Sequence, residues 1–175
     1  NLAFRNMNLN MNCDDAVKKT TWPGRMQKIE YSDKVNILLD CAHNPSGMSR
    51  ATYEISNTFN DIENIIFGCT KQSTLDDFLQ SLIYFSKSSK VQRIILTEPQ
   101  GGRTKSESTA KLLQILSLNL PEVKFYEMPN PFDALENGLS LTKKGTLLCI
   151  GSLYLIGNLL ELLELDNRDH MKILS

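Results

Sequence analysis

Apolar positions along the chain follow two alternating rhythms. Short, nearly continuous runs read as strands: Val35-Asn36-Ile37-Leu38-Leu39, Asn64-Ile65-Ile66-Phe67, Arg93-Ile94-Ile95-Leu96, Val123-Lys124-Phe125-Tyr126 and Thr146-Leu147-Leu148-Cys149-Ile150. Such runs suit strands covered on both faces. Between them, apolar residues recur every three or four positions, the spacing of a helical stripe. Met48, Ala51, Ile55 and Phe59 form the first stripe, and Leu75, Phe78, Leu79, Leu82 and Ile83 the second. A third helix is expected near Ser106 to Leu118 with Ala110, Leu113 and Leu116 inward, a fourth with Phe132, Leu135 and Leu139, and a fifth from Leu155 to Leu165.

Local chemistry agrees with these assignments. Ser73 and Thr74 stand where hydroxyls can cap free N–H groups, and Asp76 and Asp77 suit the positive end of the helix dipole. Asn130-Pro131 is a good helix start, because Asn caps and Pro lacks an N–H that would have no partner there. Lys143, Lys144 and Gly145 make a good helix end. Five βα units in succession imply an α/β fold with a largely parallel sheet and helices on both faces. Ligands on such sheets bind beyond the carboxyl ends of the strands.

The domain is expected to span residues 22 to 165. Residues 1 to 21 are polar and Asn-rich, with a possible short helix at Ala3 to Met7, and read as a linker or the end of a preceding domain. Residues 166 to 175 read as a tail. The start lacks an initiator Met and reads as a cut from a longer chain, and it lacks a signal-peptide layout.

A hydrophobic fraction of 41% and a charged fraction of 22% are ordinary for a globular core. The net charge of -1 offers no basic excess for nucleic acid and no polybasic surface for a membrane. The most apolar stretch, Thr146 to Leu165, is broken by glycines, an asparagine and two glutamates and does not suit a bilayer. Of the cysteines, Cys13, Cys41, Cys69 and Cys149, no two form a CxxC pair, so no zinc site is expected. Buried thiols in a reducing cytoplasm are the simplest reading.

Chemistry concentrates at the strand ends. The first strand ends in Asp40-Cys41-Ala42-His43-Asn44-Pro45, which places an acid, an imidazole and an amide just before a helix. Asp40 can accept from a ribose diol, and His43 can donate to a phosphate oxygen, more strongly as imidazolium. The same residues also make an ordinary turn and helix cap. Upstream, Trp22-Pro23-Gly24-Arg25 is a tight turn that presents Arg25, either as a surface side chain or as a fork for phosphate. Lys71, after the second strand, and Arg103, after the third, are candidate anion contacts or solvated loop residues. Gly151-Ser152 before Tyr154 can bind a carboxylate at a helix start or simply turn the chain. Neither GxxxxGK[ST] nor GxGxxG occurs, so the chain carries no P-loop.

Three segments taken in order are more specific. Trp22-Pro23-Gly24-Arg25, Leu39-Asp40-Cys41-Ala42-His43-Asn44-Pro45 and Gly151-Ser152-Leu153-Tyr154-Leu155-Ile156-Gly157 resemble the WPGR, LDGAHNP and GSLYLVG-like motifs of the folylpolyglutamate and dihydrofolate synthases, within the Mur ligase superfamily. The resemblance covers roughly residues 20 to 165 and implies a Rossmann-like C-terminal domain. The P-loop, the magnesium ligands and much of the folate site would then belong to the protein's own N-terminal and central domains, with no metal ligand in this chain.

The implied enzyme is an acid–amino-acid ligase that uses ATP and Mg2+. The carboxylate of a folate or dihydropteroate becomes an acyl phosphate, which L-glutamate attacks through its amine. Charge builds on the phosphoryl group, so cationic donors matter, and interdomain closure would bring Arg25 and His43 to the ATP. By position, Arg25, Asp40, His43 and Asn44 are implied in ATP binding, with Arg25 and His43 catalytic. Lys71, Ser152 and Tyr154 are implied, more remotely, in holding glutamate. Two departures stand out: Cys41 replaces the usual Gly, and Cys69-Thr70-Lys71-Gln72 differs from the common Asp-Lys-Asp form. Two alternatives remain open, a non-catalytic α/β nucleotide- or anion-binding module and another Mur-type ligase acting on a cell-wall precursor.

Overall fold

The computed structural model describes residues 22–165. The expected linker at 1 to 21, its short helix, Cys13 and the expected tail at 166 to 175 lie outside the described residues. In chain order the elements are β1 (Gln27–Glu30), β2 (Val35–Asp40), α1 (Pro45–Thr58), β3 (Ile62–Phe67), α2 (Leu75–Ser88), β4 (Arg93–Leu96), α3 (Thr109–Asn119), β5 (Lys124–Glu127), α4 (Pro131–Leu141), β6 (Gly145–Ile150) and α5 (Leu153–Leu162). The strands form one sheet in the order β1-β2-β6-β3-β4-β5. All neighbours are parallel except β1, which runs antiparallel to β2 with Gln27 opposite Leu39. The α/β fold expected from the rhythm is the fold observed.

Alternation along the central strands divides the core into two layers. Leu38, Ile65, Phe67, Ile94, Leu148 and Ile150 pack with Met48 and Ile55 of α1, Phe78 and Leu82 of α2, and Leu112 and Leu116 of α3. Ile37, Leu39, Ile66, Leu147 and Cys149 pack with Ala134 and Leu135 of α4 and Leu155, Ile156 and Leu159 of α5. Each fully buried aliphatic side chain contributes about 1.5–3 kcal/mol. The chain order explains the split. Moving from β2 through β5 in one direction puts α1, α2 and α3 on one face, and the return to β6 puts α4 on the other.

Details differ from the sequence reading. Strand β1 was not expected, because its burial alternates along a half-exposed edge and Lys28 and Glu30 face solvent. In α3 the inward residues are Thr109, Leu112 and Leu116, while Ala110 is exposed and Leu113 half-buried. The helix is rotated so that the larger Leu112 fills the core. Phe132 is 46% exposed, and Pro131, Ala134, Leu135 and Gly138 form the buried stripe of α4. Thr74 precedes α2 but makes no side-chain cap bond. Helix α4 ends at Leu141, so Lys143 and Lys144 lie beyond it, and Gly145 opens β6 with φ +88°.

At the carboxyl end of the sheet, β6 turns into α5 through Gly151, whose φ is +124° and whose pro-Cβ position is 2.6 Å from the Gly68 carbonyl oxygen and 2.7 Å from the Phe67 ring. The strand ends can approach this closely only without a side chain there. Gly157, on the exposed side of α5, has nothing within 4 Å of its pro-Cβ position. Gly151→Ala should therefore destabilise the fold by more than about 1 kcal/mol, and Gly157→Ala should stabilise it by about 0.5–1 kcal/mol. Chemical denaturation of the two variants checks both signs.

Candidate functional site

The chain leaves β2 toward α1 on one face of the sheet and β6 toward α5 on the other, so the loops beyond these neighbouring strands diverge and leave a crevice at their carboxyl ends. The residues bordering it come from the turn before β1, the loop after β2 and the first turns of α1. The turn is closed by the Arg25 N–H donating to the Trp22 carbonyl at 3.1 Å. Gly24 sits at φ +72°, where a Cβ would come within 2.6 Å of Ile156 Cγ2. The Gly24 carbonyl accepts from the Cys41 N–H at 2.7 Å, which ties the turn to the end of β2. Met26, at φ +46°, is a non-glycine residue in the left-handed region, a conformation that is sparsely populated without support.

Asp40 supplies that support. Its Oδ2 accepts from the Met26 N–H at 3.1 Å and its Oδ1 from the Ala42 N–H at 2.9 Å. The residue is only 7% exposed. Burial pushes its carboxyl above the usual value of 3.8, opposed by the two N–H donors and the nearby Arg25 charge. Asp40 is thus a charge held in low-dielectric surroundings by the backbone of both flanking loops.

Arg25 is exposed, and its guanidinium lies 5.1 Å from the centroid of the Trp22 ring. Such stacking is worth about 0.5–1 kcal/mol at an exposed site and leaves the N–H fork free for an anion. Trp22 itself is 63% exposed, so its ring serves the arginine more than the core.

His43 is also exposed, and its Nδ1 lies 2.9 Å from the Cys41 carbonyl oxygen. A carbonyl can only accept, so Nδ1 carries the proton in this bond. The neutral ring therefore turns a lone pair outward on Nε2. In this arrangement Nε2 donates when the ring is an imidazolium. Asn44 caps α1, its Oδ1 accepting from the Gly47 N–H at 2.8 Å and from the Ser46 hydroxyl at 3.0 Å. Pro45 occupies the first turn. Cys41 avoids the left-handed region and is buried against the α5 side of the core, so a side chain is tolerated there without backbone strain.

These residues surround one cleft of about 470 Å³, bordered by Arg25, Asp40, His43 and Asn44 together with Arg50 and Glu54. A second cleft, of about 380 Å³, lies beyond β3 and β4 and is bordered by Lys71, Glu98, Gly102, Lys105 and Glu107. The Lys71 N–H donates to the Lys105 carbonyl at 2.9 Å, and the Lys71 side chain is exposed. Ser152 is 1% exposed and caps α5, its Oγ accepting from the Tyr154 N–H at 3.1 Å. Tyr154 is half-buried, with its Cδ2 3.0 Å from the pro-Cβ position of Gly102. Neither Ser152 nor Tyr154 borders either cleft. Arg103 is exposed. Thus Arg25, Asp40, His43 and Asn44 come together, whereas Lys71 stands apart from them and Ser152 and Tyr154 have packing and capping contacts.

Other chemistry is sparse. Burial raises the Cys69 thiol to about 12, with Glu107 adding to the effect, and raises Cys149 further. Neither thiol is a ready nucleophile. Among the described residues, no group of three or more His, Cys, Asp or Glu is placed to hold a metal ion, and no helix is long and apolar enough to cross a membrane.

Residues 24–153 match the family described as Mur ligase, glutamate ligase domain. The chain belongs to that family. Among solved structures, this glutamate ligase domain is similar to Escherichia coli FolC in complex with DHPP and ADP, at TM-score 0.75 and 18% identity, over 93% of this chain and 37% of that one. It is also similar to the folylpolyglutamate synthase of Thermotoga maritima, at TM-score 0.70 and 21% identity, over 95% and 37%. The Mycobacterium tuberculosis folylpolyglutamate synthase complexed with ADP and AMPPCP aligns at TM-score 0.66 and 17% identity, over 91% and 37%. At these identities the likeness is one of fold, and the chain spans little more than a third of each of these proteins. No curated protein sequence matches it.

Two residues of the glutamate ligase domain's cleft escaped the sequence reading. Arg50 borders the cleft from α1 and is ion-paired with Glu54 one turn on. The spacing of Ser46, Arg50 and Glu54 puts all three on one helix side, a signal that was present in the sequence. Met26 had no such signal, because its role lies in its backbone.

Asp40 also sets a pH dependence. Its pKa is raised in the fold, so its contribution to stability is full below the ordinary value near 3.8 and is lost as pH rises through the folded value. Asp40→Asn does not titrate. The melting temperature of wild type minus that of Asp40→Asn should therefore fall as pH rises from about 3.5 to 6, which thermal melts across that range would check.

Proposed function

We propose that this glutamate ligase domain is the C-terminal part of an ATP-dependent acid–amino-acid ligase that joins L-glutamate to a folate or dihydropteroate. The observation that carries the reading is the convergence of Arg25, Asp40, His43 and Asn44 on one cleft at the carboxyl end of β2. The wording of the three motifs favours a folate substrate over a cell-wall precursor. FolC and the folylpolyglutamate synthases, with bound ADP and a related nucleotide, support the reading through their fold.

The cleft suits the phosphate end of a nucleotide. Arg25 presents a free fork on a rigid turn, and His43 as imidazolium donates from Nε2. ATP, when bound, supplies the phosphoryl group that activates a carboxylate toward an amine. Arg25 balances negative charge developing at the transferring group, while the stacked Trp22 ring limits the side chain's freedom. His43 in its neutral form offers Nε2 as a proton acceptor for an incoming ammonium group. The described residues provide no donor set for magnesium, and the chain has no P-loop, so those functions are assigned to the protein's central domain. Lys71 is the candidate for holding a glutamate carboxylate, from the second cleft.

The decisive experiment is ADP release by the full-length protein given ATP, L-glutamate and a reduced folate or dihydropteroate. Release that requires all three is expected. Release that requires a different acceptor would mean another Mur-type ligase, and no release with any acceptor would favour a binding module. The isolated 175-residue chain should release no ADP, because it lacks a phosphate-cradling loop. In the full-length enzyme, Arg25→Ala and His43→Ala should each lower kcat by about 100- to 1,000-fold. Both side chains are exposed, so melting temperatures should hardly move. Steady-state kinetics at saturating ATP and glutamate, with circular dichroism melts, would test this.

A further inference from the structure

A further cleft lies at the end of the sheet away from the Arg25 turn, and the ligase reading gives it no role. It opens at the amino ends of β4 and β5, where Arg93 and Lys124 are partners in register. The last turn of α2, the end of α3 and the loops that follow them enclose about 700 Å³, against about 470 Å³ for the cleft beyond β2. That size falls among small-molecule sites. Val91, Leu120 and Val123 give it apolar walls. Lys87, Lys90, Arg93 and Lys124 border it against one acid, Glu122, in a chain whose net charge is -1. Among the described residues none of the four cations is ion-paired. Arg93 is partly engaged, donating to Asn64 Oδ1 and Gln92 Oε1 at 3.3 Å, so the three lysines hold the free positive charge.

The end of α2 shapes this cleft. The Val91 N–H donates to the Ser86 carbonyl at 3.0 Å, and Lys90 between them takes the left-handed region at φ +55°. This turn sends Val91 into the core and leaves Lys90 exposed at the rim. Ser86 is 1% exposed, and its hydroxyl has no hydrogen-bond partner. Other helical hydroxyls bond back to their own helix, Thr52 to Met48, Ser56 to Tyr53, Ser88 to Phe85 and Ser140 to Asn137. Ser86 does not, and it lines the cleft. A buried hydroxyl without a partner is costly, and an acceptor on a ligand would satisfy it. We propose that this cleft binds a small organic anion, an apolar body that carries one carboxylate or phosphate group. The acidic group meets the lysines and the Ser86 hydroxyl, and the body covers Val91, Leu120 and Val123.

Titration calorimetry on the full-length protein tests the site with 1-naphthoate and 1-naphthyl phosphate. At least one should bind saturably, with a dissociation constant of about 1 mM or tighter, and the tighter of the two identifies the acidic group. Neutral 1-naphthalenemethanol and inorganic phosphate should each bind at least about tenfold more weakly, because each keeps only part of the contacts. Lys90→Asn/Lys124→Gln should weaken binding about 3- to 30-fold. Asparagine tolerates the left-handed backbone, so the end of α2 is kept. Ser86→Ala should weaken binding about 3- to 10-fold. Arg25→Ala, at the other end of the sheet, should leave the affinity unchanged, and circular dichroism melts confirm that each variant is folded. No saturation of either probe by about 10 mM overturns the proposal. So does equal affinity for the neutral alcohol or for inorganic phosphate, unchanged affinity in the lysine or Ser86 variants, or a loss in Arg25→Ala. These titrations read binding alone, so they decide the site whether or not the protein proves to be a ligase.

Discussion

Insertion of β6 between β2 and β3 is the constraint on which the rest depends. It is the last strand among the described residues and central in the sheet, paired along its length with β2 on one side and β3 on the other. Both core layers pass through it, Leu148 and Ile150 facing one set of helices and Leu147 and Cys149 the other. Its position forces the return crossover to the opposite face, and that reversal opens the crevice beyond β2. The strand that joins β2 to β3 thus also borders the crevice.

Polar groups at the carboxyl rim are satisfied locally, and this decides which of them remain available. Ser152 uses its hydroxyl to cap α5, and Asn44 caps α1 while receiving the Ser46 hydroxyl. Asp40 accepts from two backbone donors. Arg25 and His43 are different. One rests on an aromatic face, and the other is anchored by one nitrogen with the second left free. The rim thus separates side chains that hold the backbone from side chains that stay exposed within a few residues. Helix α5 also grips the loop beyond β4, because Asn158 Oδ1 accepts from the Gln100 N–H at 2.9 Å and Tyr154 packs on Gly102. The boundary of the second cleft is therefore held by the helix that β6 introduces.

Much of this was legible in the sequence, for physical reasons. Strands β2, β3, β4 and β6 are buried on both faces and read as unbroken apolar runs, which periodicity identifies readily. Turn and cap chemistry alone left Arg25, Asp40, His43 and Asn44 as ordinary turn residues, and it was the resemblance of three motifs in order that singled them out. Strand β1 was not legible, since a short edge strand with one wetted face carries a weak pattern. The inward side of α3 was misjudged because its apolar residues spread around the helix, and only packing selects Leu112 over Ala110. The bond from the Met26 N–H to Asp40 was invisible for another reason. Met26 lies 14 residues away and contributes only an N–H, which every residue but proline possesses.

Trp22 is the only tryptophan in the chain, and it stands against the Arg25 guanidinium while largely open to water. An indole is an intrinsic fluorophore whose emission responds to nearby charge and hydration. The protein thus carries an optical reporter against one of the side chains that border the cleft. Withdrawal of Arg25 from the ring, as by a bound anion, becomes observable as a change in emission, with no label and without turnover.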